Sequence, residues 1–336
     1  MNNKQILLAH GSGGRLSHQL VREIFLEVFN NELLAPLNDQ AICTLPSARI
    51  AFTTDSYVVD PIFFPGGDIG KLAVCGTIND LAVGGAEPLY LSASFIIEEG
   101  FALEDLKRIV DSMAVTATRA GVKIVTGDTK VVERGKGDKV FITTAGIGVV
   151  SEGLSLSPSG IRPGDAVIVS GFVGDHGIAI MTHREGIRLE SPVESDCAPL
   201  HELVKDMLAT GRGINAMRDP TRGGLATTLN EFAVSSGLGI AIKEETIPVR
   251  EEVRGACELL GFDPLYLANE GKLVAVVAKD AAAAVLHAMR NNTLGSAAAI
   301  IGEVVDEHHG RVVLETTIGN KRIVDMLSGE QLPRIC

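Results

Sequence analysis

The sequence predicts a mixed α/β fold made of two similar-sized domains, and three observations lead to this fold class. The chain has 336 residues, more than a single hydrophobic core normally serves. Hydrophobic residues make up 46% of the chain, with 37 glycines and only 4% aromatic residues, which is typical of aliphatic cores joined by tight glycine turns. Strand-like apolar runs also alternate with helical patterns along both halves of the chain.

In the first half, this alternation predicts four strands and two helices, which together make one mixed α/β domain. The predicted strands cover residues 49–54, 89–97, 123–126 and Val140–Val150, and the predicted helices cover Ile69–Val83 and 103–120. A polar stretch containing Gly, Ser and Pro follows and marks a joint between domains. We therefore expect the first domain to span residues 1–153.

The second half repeats the same pattern, so a second α/β domain is expected over residues 154–327. Its predicted strands cover 166–170, 239–242, 272–278 and 299–304. Its predicted helices cover 177–184, 200–209, 224–235, 250–260 and 281–291. Each helix shows the spacing of apolar residues that a half-buried helix requires.

The remaining residues, 328–336, are predicted to form a flexible tail that carries Cys336. Nine residues reach roughly 30 Å when extended at about 3.3 Å each. A thiol on such a tail can enter a pocket or visit another protein. The alternative is an ordinary free thiol that happens to be last.

Charge and cysteine content exclude several classes of protein. A net charge of -12 opposes the phosphate backbone, so no nucleic-acid binding is expected. The chain shows neither a signal peptide nor an apolar segment of membrane length, so no membrane association is expected. Five widely spaced cysteines without a zinc-binding pattern indicate reduced thiols in a cytoplasmic protein.

Four aspartates at the ends of apolar segments form a candidate magnesium site: Asp55, Asp80, Asp128 and Asp219. Mg²⁺ prefers oxygen ligands and is usually held by one or two carboxylates together with substrate phosphates. The alternative is that each aspartate caps a helix or closes a turn. Recurrence of the same sequence context favours the metal interpretation.

The phosphates of such a substrate would need hydrogen-bond donors, and the segment HGSGGR at 10–15 offers them. Backbone amides at Gly11, Gly13 and Gly14 are able to wrap an anion ahead of a helix, although a glycine-rich stretch is weak evidence alone. Residues 66–72 resemble a P-loop but are one residue short and lack the metal-binding hydroxyl.

Taken together, these motifs resemble the ATP-binding superfamily of aminoimidazole ribonucleotide synthetase and selenophosphate synthetase. Within it, the chain is most similar to the HypE family of carbamoyl dehydratases in hydrogenase maturation. The resemblance rests on HGSGG (10–14), TDS (54–56), ND (79–80), GDTK (127–130), GDHG (174–177), DPTRGG (219–224), NEGK (269–272) and PRIC (333–336). The selenophosphate branch would need a reactive Cys in the first of these motifs, where this chain has none.

The resemblance implies a two-domain PurM-like fold whose N-terminal domains pair through a β-barrel into a homodimer, with ATP bound at the interface. It also implies that a carbamoyltransferase, HypF, loads a carbamoyl group onto Cys336. ATP and Mg²⁺ then drive dehydration of this thiocarboxamide to a thiocyanate. The cyanide passes to a HypC–HypD complex for the iron of a nickel-iron hydrogenase.

The resemblance also assigns roles to individual residues. Glu270 is the candidate base near the carboxamide nitrogen, because the carboxamide oxygen is a weak nucleophile and its N–H is a weak acid. Lys130 is the candidate for polarising the amide or neutralising charge on its oxygen. Asn79 and Thr129 join the four aspartates and three glycines as expected nucleotide contacts.

Two alternative functions stay open. The first is a synthetase or kinase of the same fold that acts on a free small molecule, for which Cys336 would be incidental. The second is a non-catalytic ATP-responsive carrier whose tail docks a partner. His176 and Arg218 are secondary candidates for contacts to phosphate or to the tail, and a structural role for His176 is an equal alternative.

Overall fold

The structure is a computed structural model that describes residues 14–20, 22, 41–45, 48–211, 213–329, 332 and 334–336. Over this part of the chain it forms two main sheets with helices packed against them, which confirms the mixed α/β fold class. Gly11 and Gly13 lie outside the described residues. No helix in the described ranges is long and apolar enough to cross a membrane.

The first half builds a five-stranded sheet. Its strands are β1 (Ala41–Leu45), β2 (Ala48–Tyr57), β5 (Ala86–Glu98), β6 (Lys123–Val132) and β7 (Val140–Val150), and a small separate hairpin pairs β3 (Phe63–Phe64) with β4 (Gly67–Asp68). The order in the sheet is β1-β2-β7-β5-β6. Neighbouring strands run antiparallel except β5 and β6, which are parallel.

Two helices cover one face of this sheet, while the short helix α1 (Arg15–Leu20) precedes it. Helix α2 (Ile69–Val83) is apolar on all sides, and every residue in it except Lys71 and Asp80 is buried. Such a helix must be enclosed on all sides. Helix α3 (Leu103–Arg119) packs beside it with one apolar stripe, contributing the buried Ile109 and Met113 to the same core.

None of the helices among the described residues covers the other face of the first sheet, which we call the open face. Large apolar side chains on β2, β5 and β7 stand on it, each between 37 and 46% exposed: Phe52, Tyr90, Ile96, Ile147 and Val149. The edge strand β6 is exposed along most of its length. Contiguous apolar surface of this kind marks an interaction site.

The second half forms a seven-stranded sheet. Its strands are β8 (Ala166–Val169), β9 (Ile214–Arg218), β10 (Gly239–Lys243), β11 (Val274–Val277), β12 (Ala299–Val305), β13 (Val312–Glu315) and β14 (Lys321–Val324). They follow the order β14-β13-β10-β12-β8-β11-β9. Its helices are α4 (Asp175–Arg184), α5 (His201–Leu208), α6 (Gly224–Ser236), α7 (Glu251–Leu260) and α8 (Ala282–Asn291).

The central strands of this sheet are buried on both faces. In β8, Val167 and Val169 pack with α6, whereas Ile168 packs with α5 and α8. Alternate residues of a strand point to opposite faces, so a continuous apolar run is needed where helices cover both sides.

Several strands were missing from the sequence prediction. They are β1, β3, β4, β9, β13 and β14. These strands are short, and β14 reads Lys-Arg-Ile-Val with three exposed residues at the sheet edge, so an alternating apolar signal is weak there. The predicted domain limits, 1–153 and 154–327, remain predictions.

The two halves share one hydrophobic cluster. Ile180, Cys197 and Ala268 of the second half pack in the same core as residues of α2. Asn79 on α2 reinforces this joint, because its side-chain amide donates to the carbonyl oxygens of Ala198 at 3.1 Å and Glu270 at 3.2 Å. The junction therefore holds the two sheets in a fixed relation.

Candidate active site

The end of the chain docks at the junction between the two halves. The Asp60 N–H donates to the Arg334 carbonyl at 3.1 Å, and the Val58 N–H donates to the Cys336 carbonyl at 3.3 Å. This pairing adds the tail, antiparallel, to the segment that follows β2. Ile335 is only 5% exposed and packs in the shared cluster. Whether the remainder of 328–336 is flexible stays a prediction.

The Arg334 side chain anchors the docked tail. Its Nε donates to the Val58 carbonyl at 3.0 Å, and its guanidinium forms an ion pair with Asp138. Arg184, at the end of α4, donates to the Arg334 carbonyl at 2.8 Å and also binds the Asp60 carbonyl. The tail is thus held by both halves of the chain.

Four charged side chains act electrostatically on the Cys336 thiol. Burial raises the pKa of this thiol, and the negative charges of Glu270, Asp55 and Asp219 raise it further, while Arg222 opposes them. Three of the predicted site residues are therefore within electrostatic reach of the terminal cysteine. Because the pKa is raised, the docked position favours an uncharged sulfur over a thiolate.

Glu270 is buried and carries an unsatisfied oxygen. It is 2% exposed, and its Oε1 has no hydrogen-bond partner among the described residues. Burial raises its pKa well above the usual range, followed by the negative charges of Cys197 and Asp219. A carboxyl of this kind is a strong base once it loses its proton, which suits the predicted role.

The backbone around Glu270 is held by Asp196. The Glu270 N–H and the Gly271 N–H donate to the Asp196 carboxylate at 3.0 and 3.2 Å, and Lys272 Nζ donates at 3.1 Å. Burial acts against ionisation of Asp196, but Lys272 and the Glu270 N–H lower its pKa overall. The sequence analysis missed Asp196, which lies in an irregular segment without periodicity.

Asn79, a predicted nucleotide contact, has a structural position. It is fully buried, and in addition to its two donated hydrogen bonds its Oδ1 accepts from the Leu200 N–H at 2.8 Å. Both of its N–H donors are already used. Asn79 therefore holds the Glu270 segment in place, and its contact with a nucleotide stays a prediction that this geometry does not favour.

Two of the predicted metal ligands lie on the covered side of the first sheet. Thr53 Oγ1 donates to Asp80 Oδ2 at 2.7 Å, and the Ser56 N–H donates to Asp55 Oδ1 at 2.8 Å. Burial raises the pKa of Asp55, with the Arg222 charge opposing. Burial therefore makes the ionised form of Asp55 unfavourable, and a bound divalent cation would stabilise that form.

Asp128 and Lys130 lie elsewhere. Asp55 of β2 pairs with Thr144 of β7, and Thr144 pairs with Ala93 of β5. Asp128 of β6 pairs with Ser94, the residue that follows Ala93 on β5. Since side chains alternate between faces, Asp128 is on the open face and Asp55 on the covered face. Lys130 Nζ and Asp128 form an exposed ion pair at 2.8 Å.

The four aspartates consequently do not converge within one chain. In the described residues, no group of three or more His, Cys, Asp or Glu side chains is arranged to hold a metal ion. The donor chemistry still fits Mg²⁺, because that ion usually takes only one or two carboxylates and completes its shell with phosphates and water. Asp55, Asp80 and Asp219 fit this description, whereas Asp128 lies on the opposite face of the sheet from Asp55.

The secondary candidates differ from each other. His176 contacts the tail, since its Nε2 lies 2.8 Å from the Ile335 carbonyl oxygen. Arg218 instead pairs with Glu231, which also contacts His18. Gly14 packs against the backbone, where an added Cβ would lie 2.0 Å from the Leu327 oxygen. For Thr129 only the backbone is described.

Arg222 was overlooked as a site residue, although its DPTRGG motif was noted. Its side chain is exposed two residues before α6, and negative charge on a Cys336 thiolate, on Asp55 and on Glu270 raises its pKa, while partial desolvation lowers it. The Asn269 N–H and side-chain amide both bind the Pro220 carbonyl, at 3.1 and 3.0 Å. These bonds tie the Arg222 loop to the Glu270 segment.

Both halves of the chain match known protein families. Residues 37–150 match the family "AIR synthase related protein, N-terminal domain", and residues 162–315 match its C-terminal domain. "Carbamoyl dehydratase HypE" of Bradyrhizobium diazoefficiens is 59% identical over 337 residues, covering 100% of this chain and 97% of the relative. The protein of the same name from Cupriavidus necator is 57% identical over 333 residues, covering 99% and 95%.

Solved structures of HypE proteins also match this chain over most of its length. The crystal structure of a HypE-HypF complex matches with a TM-score of 0.87 and 52% identity, over 92% of this chain and 99% of that chain. A HypE structure in complex with ATP matches with a TM-score of 0.83 and 50% identity, over 99% and 100%. From the fold, the docked segment 334–336 and these similarities, we conclude that the chain belongs to the HypE family of carbamoyl dehydratases within the AIR synthase related proteins.

Proposed function

We propose that this protein uses ATP to dehydrate an S-carbamoyl group on its own Cys336 to a thiocyanate, the source of cyanide ligands for a nickel-iron hydrogenase. The observation that carries the proposal is the docking of the Cys336 tail at the junction of the two halves, where the charge of the buried Glu270 carboxyl acts on the thiol. Relatives named carbamoyl dehydratase support the same reaction.

ATP with Mg²⁺ would supply the phosphoryl group that turns the carboxamide oxygen into a leaving group. The contribution of the chain is to hold the carboxamide and to move its protons. Glu270 would accept one N–H proton, release it, and then accept the second as the C–O bond breaks and the nitrile forms; of the two protons, one ends on the departing phosphate and the other goes to solvent. The balance is one thiocarboxamide and one ATP to one thiocyanate, ADP and phosphate.

The raised pKa of the docked thiol supports carbamoylation of Cys336 while the tail is undocked. Carbamoyl transfer needs a nucleophilic thiolate, which the pocket disfavours, whereas the S-carbamoyl sulfur is uncharged. The tail would therefore leave the pocket, accept its carbamoyl group from HypF, and return. A HypE-HypF complex of a close relative supports this partner. The HypC–HypD complex would receive the cyanide from the returned and dehydrated tail.

Nucleotide and metal would bind at the covered edge of the first sheet. Asp55, Asp80 and Asp219 provide carboxylates for Mg²⁺, and Arg222 provides a positive charge near the transferred group. A related HypE structure that contains ATP supports the nucleotide. Gly11, Gly13, Gly14 and Thr129 remain proposed contacts.

We further propose a homodimer built on the open face of the first sheet. Phe52, Tyr90 and Ile96 stand exposed there, and a second copy would cover them in a closed barrel, which removes the exposed sheet edge at β6. Asp128 and Lys130 lie on this face. In the dimer, Asp128 would bind the metal of the partner subunit's site, and Lys130 would polarise the amide in that site. The free thiols Cys75, Cys197 and Cys257 support a reducing, cytoplasmic location.

Intact-protein mass spectrometry tests the function. The chain would be incubated with HypF, carbamoyl phosphate and Mg-ATP, and fragmentation would locate the adduct. A carbamoyl mass on Cys336 that then loses one water only with ATP supports the dehydratase. Cys336→Ser should show neither mass change. An unmodified tail beside active HypF would favour the small-molecule synthetase, and a stable carbamoyl adduct would favour the carrier.

A further inference from the structure

Both ring nitrogens of His176 are engaged in hydrogen bonds in a fully buried position. Nε2 lies 2.8 Å from the Ile335 carbonyl oxygen, and Nδ1 lies 2.7 Å from Ser195 Oγ. The Ser195 oxygen also accepts the Cys197 N–H at 3.1 Å. His176 therefore connects the start of α4, the segment 195–197 and the tail.

The partners of His176 define its tautomer. A carbonyl oxygen accepts only, so Nε2 must carry the proton that it donates to Ile335. In a neutral ring Nδ1 is then an acceptor, and the Ser195 hydroxyl donates to it. Burial lowers the pKa of His176, which keeps the ring neutral. Every donor in this chain of bonds meets an acceptor.

The bond to Ile335 fixes the peptide that leads into Cys336. The carbonyl before Cys336 is held by His176, and the carbonyl of Cys336 itself is held by the Val58 N–H at 3.3 Å. With both flanking carbonyls held, only side-chain rotations remain to move the sulfur. Of these two contacts, His176 is the one made by a side chain.

We propose that His176 is a positioning residue for the dehydration, whose Nε2–H orients the tail so that the S-carbamoyl group of Cys336 meets Glu270. The inference rests on the proposed function and deepens it. Misplacing a reacting group by about 1 Å can cost about 10²-fold in rate. Loss of this one bond therefore acts on the chemical step, while the ring itself never touches the reacting atoms.

Two substitutions at His176 separate its two nitrogens. The side-chain nitrogen of Gln is able to occupy the Nε2 position, so His176→Gln keeps a donor for Ile335. The Asn side chain reaches only the Nδ1 position, so His176→Asn keeps a partner for Ser195 and leaves the Ile335 carbonyl unpaired. Asn is smaller than Gln by one methylene and leaves the larger cavity at this buried position, so urea unfolding of both variants first shows that each is folded before their rates are compared.

The test is single-turnover dehydration of chains already carbamoylated by HypF, followed by intact mass after Mg-ATP is added. His176→Asn should dehydrate about 10²-fold more slowly than the parent, and His176→Gln within about tenfold of it. Carbamoylation by HypF should be unchanged or faster in both, since that step uses the undocked tail. Equal dehydration rates for Asn and Gln would overturn the proposal.

A second readout does not depend on turnover. Iodoacetamide should alkylate Cys336 of the uncarbamoylated His176→Asn chain several-fold faster than that of His176→Gln, because the tail undocks more often; equal labelling contradicts the proposal. If His176→Asn does not fold, Ser195→Ala removes the Nδ1 partner and should slow dehydration without slowing carbamoylation. A parent chain that never dehydrates would refute the proposed function, whereas a working parent with a fully active Asn variant refutes only the role of His176.

Discussion

Replacement of Glu270 by Gln separates the proposed base from the space it fills. Gln has nearly the shape of the neutral acid, so the tail pocket should persist and Mg-ATP should still bind. Single-turnover dehydration should fall by about 10²- to 10⁴-fold, the range for a lost acid–base group. Rapid quench and intact mass measure this rate, and normal turnover would remove Glu270 from the mechanism.

The same substitution has a calculable effect on stability. Burial raises the pKa of Glu270 well above its usual range, whereas in the unfolded chain it is about 4.3. The folded state therefore binds the proton more tightly. The stabilisation is complete below the unfolded pKa and is lost as pH rises through the folded pKa, by at most about 1.4 kcal/mol per pH unit for one proton.

Glu270→Gln has no such proton. As pH rises from about 5 to about 7, the free energy of unfolding of the parent should therefore fall relative to that of Glu270→Gln. Urea unfolding across this range measures the difference. Exposed Glu152 provides the control, since Glu152→Gln should leave the pH profile of the parent unchanged. Parallel profiles for the parent and Glu270→Gln would show that the buried carboxyl does not take up a proton, and the reasoning would fail.

Asn79→Ala should lower the free energy of unfolding by about 2–4 kcal/mol, because three buried hydrogen bonds are lost; a urea midpoint like that of the parent would contradict this. Gly271→Ala should cost at least about 2 kcal/mol, since its Cβ would lie 1.8 Å from a backbone oxygen. Gly255→Ala, with nothing within 4 Å, is the matched control and should stabilise α7 by about 0.5–1 kcal/mol. Phe52→Asp should convert the proposed dimer to monomers in light scattering, and a persisting dimer would move the interface to another surface.

Much of the fold follows from sequence because burial on both faces demands continuous apolar runs. The strands at Ala166–Val169 and Val274–Val277 are such runs, and both are among the eight strands predicted from the pattern. By contrast, Lys321–Val324 pairs only along one side at the sheet edge. Its place depends on a neighbour that comes from elsewhere in the chain, which local pattern does not encode.

The candidate site shows the same division. Asp55 and Asp219 were predicted because each follows an apolar run, whereas Glu270 was assigned from the family resemblance; in the structure the charges of all three act on the Cys336 thiol. Asp128 follows an identical pattern but lies on the other face of the sheet. Which face is covered depends on where α2 and α3 pack, and a single strand cannot reveal that. The role of Asp196 arises only from backbone N–H groups more than seventy residues away.

The docked tail also has a practical consequence for handling the protein. Because the Cys336 carbonyl accepts a hydrogen bond from the Val58 N–H and the residue is only partly exposed, any residue added after it would have to fit at the same junction. A purification tag or fluorescent fusion at this end would leave both sheets intact and yet keep the thiol out. We expect such a preparation to be folded but inactive in dehydration. Labels therefore belong on an exposed loop, such as the one that carries Glu152.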